Sequence, residues 1–284
     1  METRNTVKTI LRVDALPTLP DVIHEILAIT GDPMSSMKGL ATVIERDPAL
    51  SANMLKLVNS AYFGFSRKIS VIRDAGVLLG YGTVRAMALG TVVISSVNVE
   101  RLDCHRFWAH SLATAVTTNA LAREVNHPDL DQAFIAGLLH DVGVLLLAVS
   151  FPDLSGGVPM AGGDSQDAAD REIAAFGITH EQAGAHLARH WRFDARLTRA
   201  IEEHHLAPGR EPERMSALGR MVWLAEWMLG ERYRLPHEEP SADRQAEAVA
   251  RSLGYPLDLL RGAAKRIDKE LGIVEPLLSG RAEM

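Results

Sequence analysis

The chain has 284 residues, of which 47% are hydrophobic, enough for one large domain or two smaller ones with buried cores. Its single cysteine, Cys104, excludes an internal disulfide, and no apolar signal segment precedes the first prolines, so we expect a reducing, cytoplasmic setting. The formal net charge of −6, with basic residues interleaved among acids, argues against direct nucleic-acid binding.

Apolar residues recur at helical spacing along nearly the whole chain, and no long run alternates with period two, so we predict an all-α protein. The first predicted helix contains "PDVIHEILAI", and a later one covers "TVRAMALGTVVISSV". Between them, Asp47 is a predicted N-cap with Pro48 at the first helical position, and Gly64 closes that helix. We predict that these helices form an N-terminal subdomain of residues 1–100 packed against a second subdomain of residues 101–284.

The second subdomain begins with a predicted helix, "DCHRFWAHSLATAVTTNALAREV", followed by the apolar run "AFIAGLLHDVGVLLLAVSF". That run is almost long enough to cross a bilayer, but Asp141 near its middle makes a membrane span improbable. We therefore predict one buried helix that contains His140 and Asp141, and no contact with a membrane.

Glycines and prolines predict a loop over residues 150–167. Thr179 and Gln182 have the spacing of a capping box and predict a new helix with His180 in its first turn. Asp194 can cap the following helix, and further helices are predicted up to "LDLLRGAAKRIDKEL".

Several histidines fall where helices begin, end or are buried: His110, His140, His180, His204 and His205. A lone histidine on an apolar face is more often a hydrogen-bonded core residue than a ligand, because one partner satisfies it. The set together favours a metal site, since imidazoles and carboxylates from separate helices can share one water-poor pocket. On a helix, adjacent residues point about 100° apart, so His140 and Asp141 could reach two sides of one ion, or one of two ions bridged by the carboxylate.

The order of these residues resembles the HD superfamily of metal-dependent phosphohydrolases, and the stretch from about residue 16 to 230 resembles an HDOD domain, an output or signalling relative of that superfamily. The resemblance is carried by these segments: "LPTLPDVI", "VIERDPALSANMLKLVNSAYFG", "LGYGTVRAMAL", "RFWAHSLATA", "AFIAGLLHDVGVLLL", "FGITHEQAGAHLARHW" and "IEEHH". It implies that residues 101–284 form an HD-like helical subdomain.

Similarity to cyclic-dinucleotide phosphodiesterases of the HD-GYP type implies a metal-ligand set that closes with an acidic residue: His110, His140, Asp141, His180, His204, His205 and Glu226. The implied cofactor is a divalent ion (iron, manganese or zinc), and Asp141 is the implied catalytic residue if the protein is active. Catalysis is less expected, because Val144 stands where relatives carry a phosphate-contacting lysine and "HHLAPGREPER" lacks their glycine-rich motif. The "GYP" at 254–256 lies about fifty residues too far along and is interpreted as helix capping.

We therefore expect a bacterial-type regulatory protein that acts through contacts with signalling proteins, with a metal or a nucleotide as candidate ligands. The alternative is a metal-dependent phosphohydrolase or cyclic-dinucleotide phosphodiesterase. A third reading is a nucleotide-binding receptor that keeps the pocket without the chemistry. Metal content combined with a hydrolysis assay distinguishes the enzyme from the regulator.

Overall fold

A computed structural model describes residues 21–30, 35–59, 65, 67–96, 104–151, 166–206, 210–233 and 243–255. Within these ranges the regular elements are helices and none is a strand, so the predicted all-α fold is confirmed. The chain divides into two compact units, one drawn from residues 18–98 and the other from residues 99–267. None of the described helices is both long and apolar enough to cross a membrane.

The first unit consists of short helices whose apolar faces meet in a common core: α1 Asp21–Thr30, α2 Met37–Glu45, α3 Pro48–Val58, α4 Ile72–Leu79 and α5 Tyr81–Ser96. The predicted N-cap is confirmed, because the Asp47 carboxylate accepts hydrogen bonds from the backbone N–H groups of Ala49 and Leu50 at 2.9 and 3.0 Å. Helix α3 ends at Val58, and the Asn59 side chain then pairs with both backbone groups of Ile69. The predicted end at Gly64 lies outside the described residues.

The second unit contains the remaining elements: α6 Cys104–Glu124, α7 Leu130–Leu139, α8 Val142–Ser150, α9 Gln166–Phe176, α10 His180–His190, α11 Ala195–Glu202, a 3-10 turn Pro212–Arg214, α12 Ala217–Tyr233 and α13 Asp243–Ser252. Helix α6 packs against α7 and α12, α8 packs against α10, and α11 packs against α10 and α12. The capping box of Thr179 and Gln182 is present, and Asp194 caps α11 as predicted. The last predicted helix and most of the predicted loop at 150–167 lie outside the described residues.

The "GYP" segment follows α13 and has a structural role. Gly254 adopts a left-handed conformation with φ 78°, and the backbone N–H of Tyr255 donates to the carbonyl of Ala250 at 2.9 Å. These contacts satisfy the C-terminal end of the helix. Tyr255 is buried, and its hydroxyl donates to the backbone carbonyl of Leu121 in α6. The interpretation of this segment as capping is therefore confirmed.

The prediction of one continuous helix through "GLLHDVG" is wrong. Helix α7 ends at Leu139, α8 begins at Val142, and Asp141 between them has φ −93° and ψ 11°. The physical reason is that the two helices pack on different partners, α7 against α6 and α8 against α10. The break allows each helix to follow its own neighbour, and it leaves His140 and Asp141 at a helix junction.

Two glycines on either side of this junction allow the neighbouring helices to approach closely. A Cβ on Gly137 would lie 2.6 Å from the Cα of Ala115 in α6, and a Cβ on Gly143 would lie 1.9 Å from the carbonyl oxygen of His180 in α10. Both obstacles are backbone atoms, which cannot move aside as a flexible side chain could. Glycine is therefore required at both positions, and the contacts bring α6 and α10 against the His140-Asp141 junction.

We predict that Gly143→Ala destabilises the protein. A glycine-to-alanine exchange in an unobstructed helix stabilises by up to about 1 kcal/mol. At Gly143 the new methyl group must displace the backbone of α10, so we expect a loss of roughly 1–3 kcal/mol in the free energy of unfolding. Chemical denaturation monitored by circular dichroism measures this change.

Gly39→Ala is the matched control, because a Cβ there meets only side-chain atoms at 3.7 and 3.9 Å, an ordinary contact distance. We expect this variant to match or slightly exceed the stability of the wild type. If Gly143→Ala and Gly39→Ala were equally stable, the close approach of α8 and α10 would be contradicted.

Candidate metal centre

All seven residues of the predicted ligand set lie in one cluster within the second unit. They come from five places in the fold: His110 from α6, His140 and Asp141 from the α7–α8 junction, His180 from the first residue of α10, His204 and His205 just after α11, and Glu226 from α12. Five of the seven are at most 2% exposed: His110, His140, Asp141, His180 and His204. The structure therefore groups distant sequence positions around one buried point.

One half of the cluster, here called subsite A, consists of His110, His140, Glu226 and the Oδ2 atom of Asp141. The Nε2 atoms of His110 and His140 are 3.0 Å apart and lie 3.4 and 3.3 Å from Asp141 Oδ2. Glu226 Oε1 lies 3.6 and 3.1 Å from the same two nitrogens. Four ligand atoms within 4.8 Å of one another could hold one metal ion.

The other half, subsite B, consists of His180, His204, His205 and the Oδ1 atom of Asp141. The Nε2 atoms of His180 and His204 lie 3.5 and 3.3 Å from Asp141 Oδ1 and 3.3 Å from each other. The His205 ring lies against the His204 ring, with centroids 4.2 Å apart. Each oxygen of Asp141 thus belongs to a different subsite.

The histidines of both subsites are oriented by hydrogen bonds on their outward nitrogens. The Nδ1 atoms of His140 and His204 lie 2.8 and 2.7 Å from the backbone carbonyls of Gly137 and Ile201. A carbonyl can only accept, so Nδ1 must carry the proton, and in a neutral imidazole Nε2 then presents its lone pair. This arrangement is typical of metal-ligating histidines, whose second nitrogen is held by an outer partner.

The carboxylate oxygens inside the cluster lack hydrogen-bond donors within the described part of the chain. Both oxygens of Asp141 and the Oε1 atom of Glu226 are buried and accept no hydrogen bond from the described residues. The nearest imidazole nitrogens lie 3.3–3.5 Å from the Asp141 oxygens. A buried, uncompensated carboxylate is costly. Imidazole and carboxylate groups are common ligands of divalent transition metals, so the chemistry of this donor set fits metal binding.

Without an ion, protons must balance the carboxylates. Burial lowers the pKa of His140, but the charges of Asp141 and Glu226 outweigh burial and raise that pKa from 6.5 to about 9. Burial also lowers the pKa of His180, whereas the charges of Glu181 and Glu172 raise it from 6.5 to about 9. At neutral pH these pKa values favour the positively charged form of both rings in the metal-free protein, with a proton on each ring nitrogen.

Two acidic residues near subsite B were not found from the sequence. Glu172 is buried and hydrogen-bonded to His180, and Glu181 Oε2 lies 3.6 Å from His180 Nδ1. The sequence places Glu172 four residues before Phe176, and so on the same face of α9, but only the structure shows that both residues are buried. An acid on such a face indicates a buried partner, and here the partner is a site histidine.

The cluster defines an all-α protein of the HD type, in which a His-Asp pair at a helix junction is surrounded by further histidines. The HDOD domain matches residues 16–207, and the chain belongs to the HDOD family. The resemblance inferred from the sequence is therefore confirmed.

Known proteins show the same fold. A candidate signal transduction protein from Marinobacter aquaeolei VT8 has a TM-score of 0.70 at 22% identity, covering 98% of this chain and 65% of that one. A candidate phosphohydrolase from Shewanella amazonensis SB2B also has a TM-score of 0.70, at 26% identity, covering 96% and 97%. An uncharacterised protein of Treponema pallidum (strain Nichols) is 26% identical over 208 residues. That match covers 69% of this chain but 39% of the relative, so the chain spans well under half of that relative's length.

Metal binding to the metal-free protein should release protons, because an imidazole must lose its Nε2 proton to bind an ion. With the pKa values of His140 and His180 raised to about 9, we expect about two protons released per chain at pH 7 and far fewer at pH 10. Calorimetric titration with zinc in buffers of different ionisation enthalpy measures this number. Binding without proton release at pH 7 would contradict the assigned protonation.

Proposed function

We propose that this protein is a regulatory HDOD protein that holds two divalent metal ions and acts through contacts with signalling proteins, without substantial hydrolysis. One observation carries the proposal: Asp141 and the six ligand groups around it form a full set of seven, and five of the seven are at most 2% exposed. The set of ligand groups supports metal binding. Its deep burial disfavours hydrolysis of a large phosphoester, because such a substrate would have to reach the buried ions.

The ion in subsite A would be held by His110, His140 and Glu226, and the ion in subsite B by His180, His204 and His205. The Asp141 carboxylate would be shared between them. Such ions supply charge neutralisation and Lewis-acid polarisation of a bound oxygen. The protein's own contribution is to fix the ligand geometry and exclude water, and the deep burial of Asp141 supports both roles.

Access to this centre is narrow. Among the seven ligand residues, only His205 and Glu226 have side chains that are more than a few per cent exposed, at 10% and 14%. Val144, which stands where related phosphohydrolases carry a lysine, is fully buried and offers no charge to a phosphate. Phosphoryl transfer needs its substrate held in line and its charge neutralised, so these features favour a regulatory role.

The second candidate function is metal-dependent hydrolysis of a phosphoester, with a cyclic dinucleotide as one substrate class. It is favoured by the likeness to the Shewanella amazonensis protein described as a candidate phosphohydrolase. The exposed edges of His205 and Glu226 would be the only approach to the ions through the described residues. A nucleotide bound at this edge without hydrolysis would make the protein a receptor.

Asp141→Asn should remove both ions. The substitution keeps the shape of the side chain but removes the charge shared by the two subsites, so we expect metal content to fall from about two ions per chain to nearly none. Elemental analysis of protein purified without added metal measures the loss. Thermal unfolding should also occur at a lower temperature, because an ion that binds only the folded state stabilises it.

Asp74→Asn, in the first turn of α4, is the matched control and should keep the wild-type metal content. If Asp141→Asn were folded and retained both ions, the shared-carboxylate assignment would be wrong. If the wild type contained no metal and bound none on titration, the proposed metal centre itself would be rejected.

The hydrolysis question has its own test. We expect wild-type protein loaded with manganese, iron or zinc to show no significant turnover of bis(p-nitrophenyl) phosphate or cyclic dinucleotides. The reason is that the buried Val144 stands in place of the lysine that would neutralise the phosphate charge. Metal content is measured on the same samples. Metal-dependent turnover that Asp141→Asn abolishes would make the phosphohydrolase the function of this chain.

A further inference from the structure

Helix α9 contributes one buried acidic residue to the surroundings of the metal centre. Asp170 and Ile173 of this helix are exposed, whereas Glu172 between them is 1% exposed. Its carboxylate contacts both the main chain and the ring of His180. Glu172 Oε2 accepts from the backbone N–H of His180 at 2.8 Å, and the two oxygens lie 2.9 and 3.0 Å from His180 Nδ1.

These contacts determine which nitrogen of His180 carries the proton. An ionised carboxylate only accepts, so Nδ1 must donate to it, and the neutral ring then has its lone pair on Nε2. That atom faces Asp141 Oδ1 at 3.5 Å and His204 Nε2 at 3.3 Å. Glu172 therefore turns the ligand atom of His180 into subsite B.

Glu172 differs from the outer partners of His140 and His204, which are neutral backbone carbonyls. A carboxylate partner raises the basicity of a ligating imidazole as well as fixing its orientation. Because Glu172 also holds the main chain of His180, it restrains the ring and the start of α10 together. Glu172 therefore restrains His180 at two places, its backbone N–H and its ring.

We propose that Glu172 is a positioning residue for the metal ion of subsite B, acting through the tautomer and orientation of His180. The inference rests on the proposed metal centre, and it assigns a function to a residue outside the ligand set. It predicts that loss of the carboxylate weakens one of the two ions selectively.

Glu172→Gln is the most informative change, because glutamine has nearly the same size and shape. Its amide oxygen can accept from the backbone N–H of His180, but the NH₂ group then faces His180 Nδ1 as a donor. This favours the ring with its proton on Nε2, and that proton must be moved before Nε2 can bind a metal. The variant should therefore fold normally while presenting the wrong tautomer to subsite B.

Titration of metal-free protein with Co²⁺, followed by its visible absorption bands and by calorimetry, tests the effect on binding. We expect one of the two ions to bind roughly 10- to 100-fold more weakly in Glu172→Gln, with the other little changed. Asp170→Asn, which alters an exposed acid on the same helix, should bind both ions as the wild type does. Wild-type affinity at both subsites in Glu172→Gln would overturn the proposal.

The ring ¹⁵N chemical shifts of His180, assigned by their absence in His180→Asn, give a readout that needs no metal. In metal-free protein at pH 10 we expect the Nδ1–H tautomer in the wild type and in Asp170→Asn, and the Nε2–H tautomer in Glu172→Gln. An unchanged tautomer in Glu172→Gln would refute the proposed role of Glu172. Absence of Co²⁺ binding by the wild type would instead reject the metal centre and, with it, the assignment of Glu172 to a metal ion.

Discussion

The structure of the second unit depends on the burial of one carboxylate, Asp141, among imidazole rings. Its two oxygens face different sets of histidines, and neither accepts a hydrogen bond from the described residues. A charge in this position is tolerable only if cations or protons surround it. The raised pKa values of His140 and His180 and the convergence of ligand atoms are two consequences of that single requirement.

The helices are arranged to meet this requirement at their ends. The break between α7 and α8 frees His140 and Asp141 from a regular helix, and the capping box places His180 at the first residue of α10. His204 and His205 follow the last turn of α11. His110 and Glu226 reach the same point from the interiors of α6 and α12. Close backbone contact at Gly137 and Gly143 holds α6 and α10 against the α7–α8 junction.

This arrangement suits the proposed regulatory role. A ligand that binds only the folded state adds to its stability, so occupied and empty centres would differ in how readily the surrounding helices open. Each of the four carboxylates around the centre lies within 4 Å of a histidine nitrogen: Asp141, Glu172, Glu181 and Glu226. Two divalent ions would match their charge, which links metal occupancy directly to the electrostatics of the core.

The sequence predicted the fold class and the capping of α3, α10 and α11, because helical periodicity and caps are local signals. The residues that meet in the cluster were implied by the resemblance to HD-type proteins and not by their spacing. Prediction from the sequence failed at the α7–α8 junction, since an apolar run has the same appearance whether its helix continues or breaks. Glu172 was missed for a different reason. Its partner lies eight residues away across a turn, and only the fold shows that the acid is buried beside His180.

Anomalous X-ray diffraction from crystals of protein purified without chelators or added metal is the most direct test of the account. We predict two anomalous peaks about 3.5–4 Å apart, one on each side of the Asp141 carboxylate. A structure with no anomalous peak, in which His140 and His180 donate hydrogen bonds directly to Asp141, would contradict it. In that case protons alone would balance the buried charge.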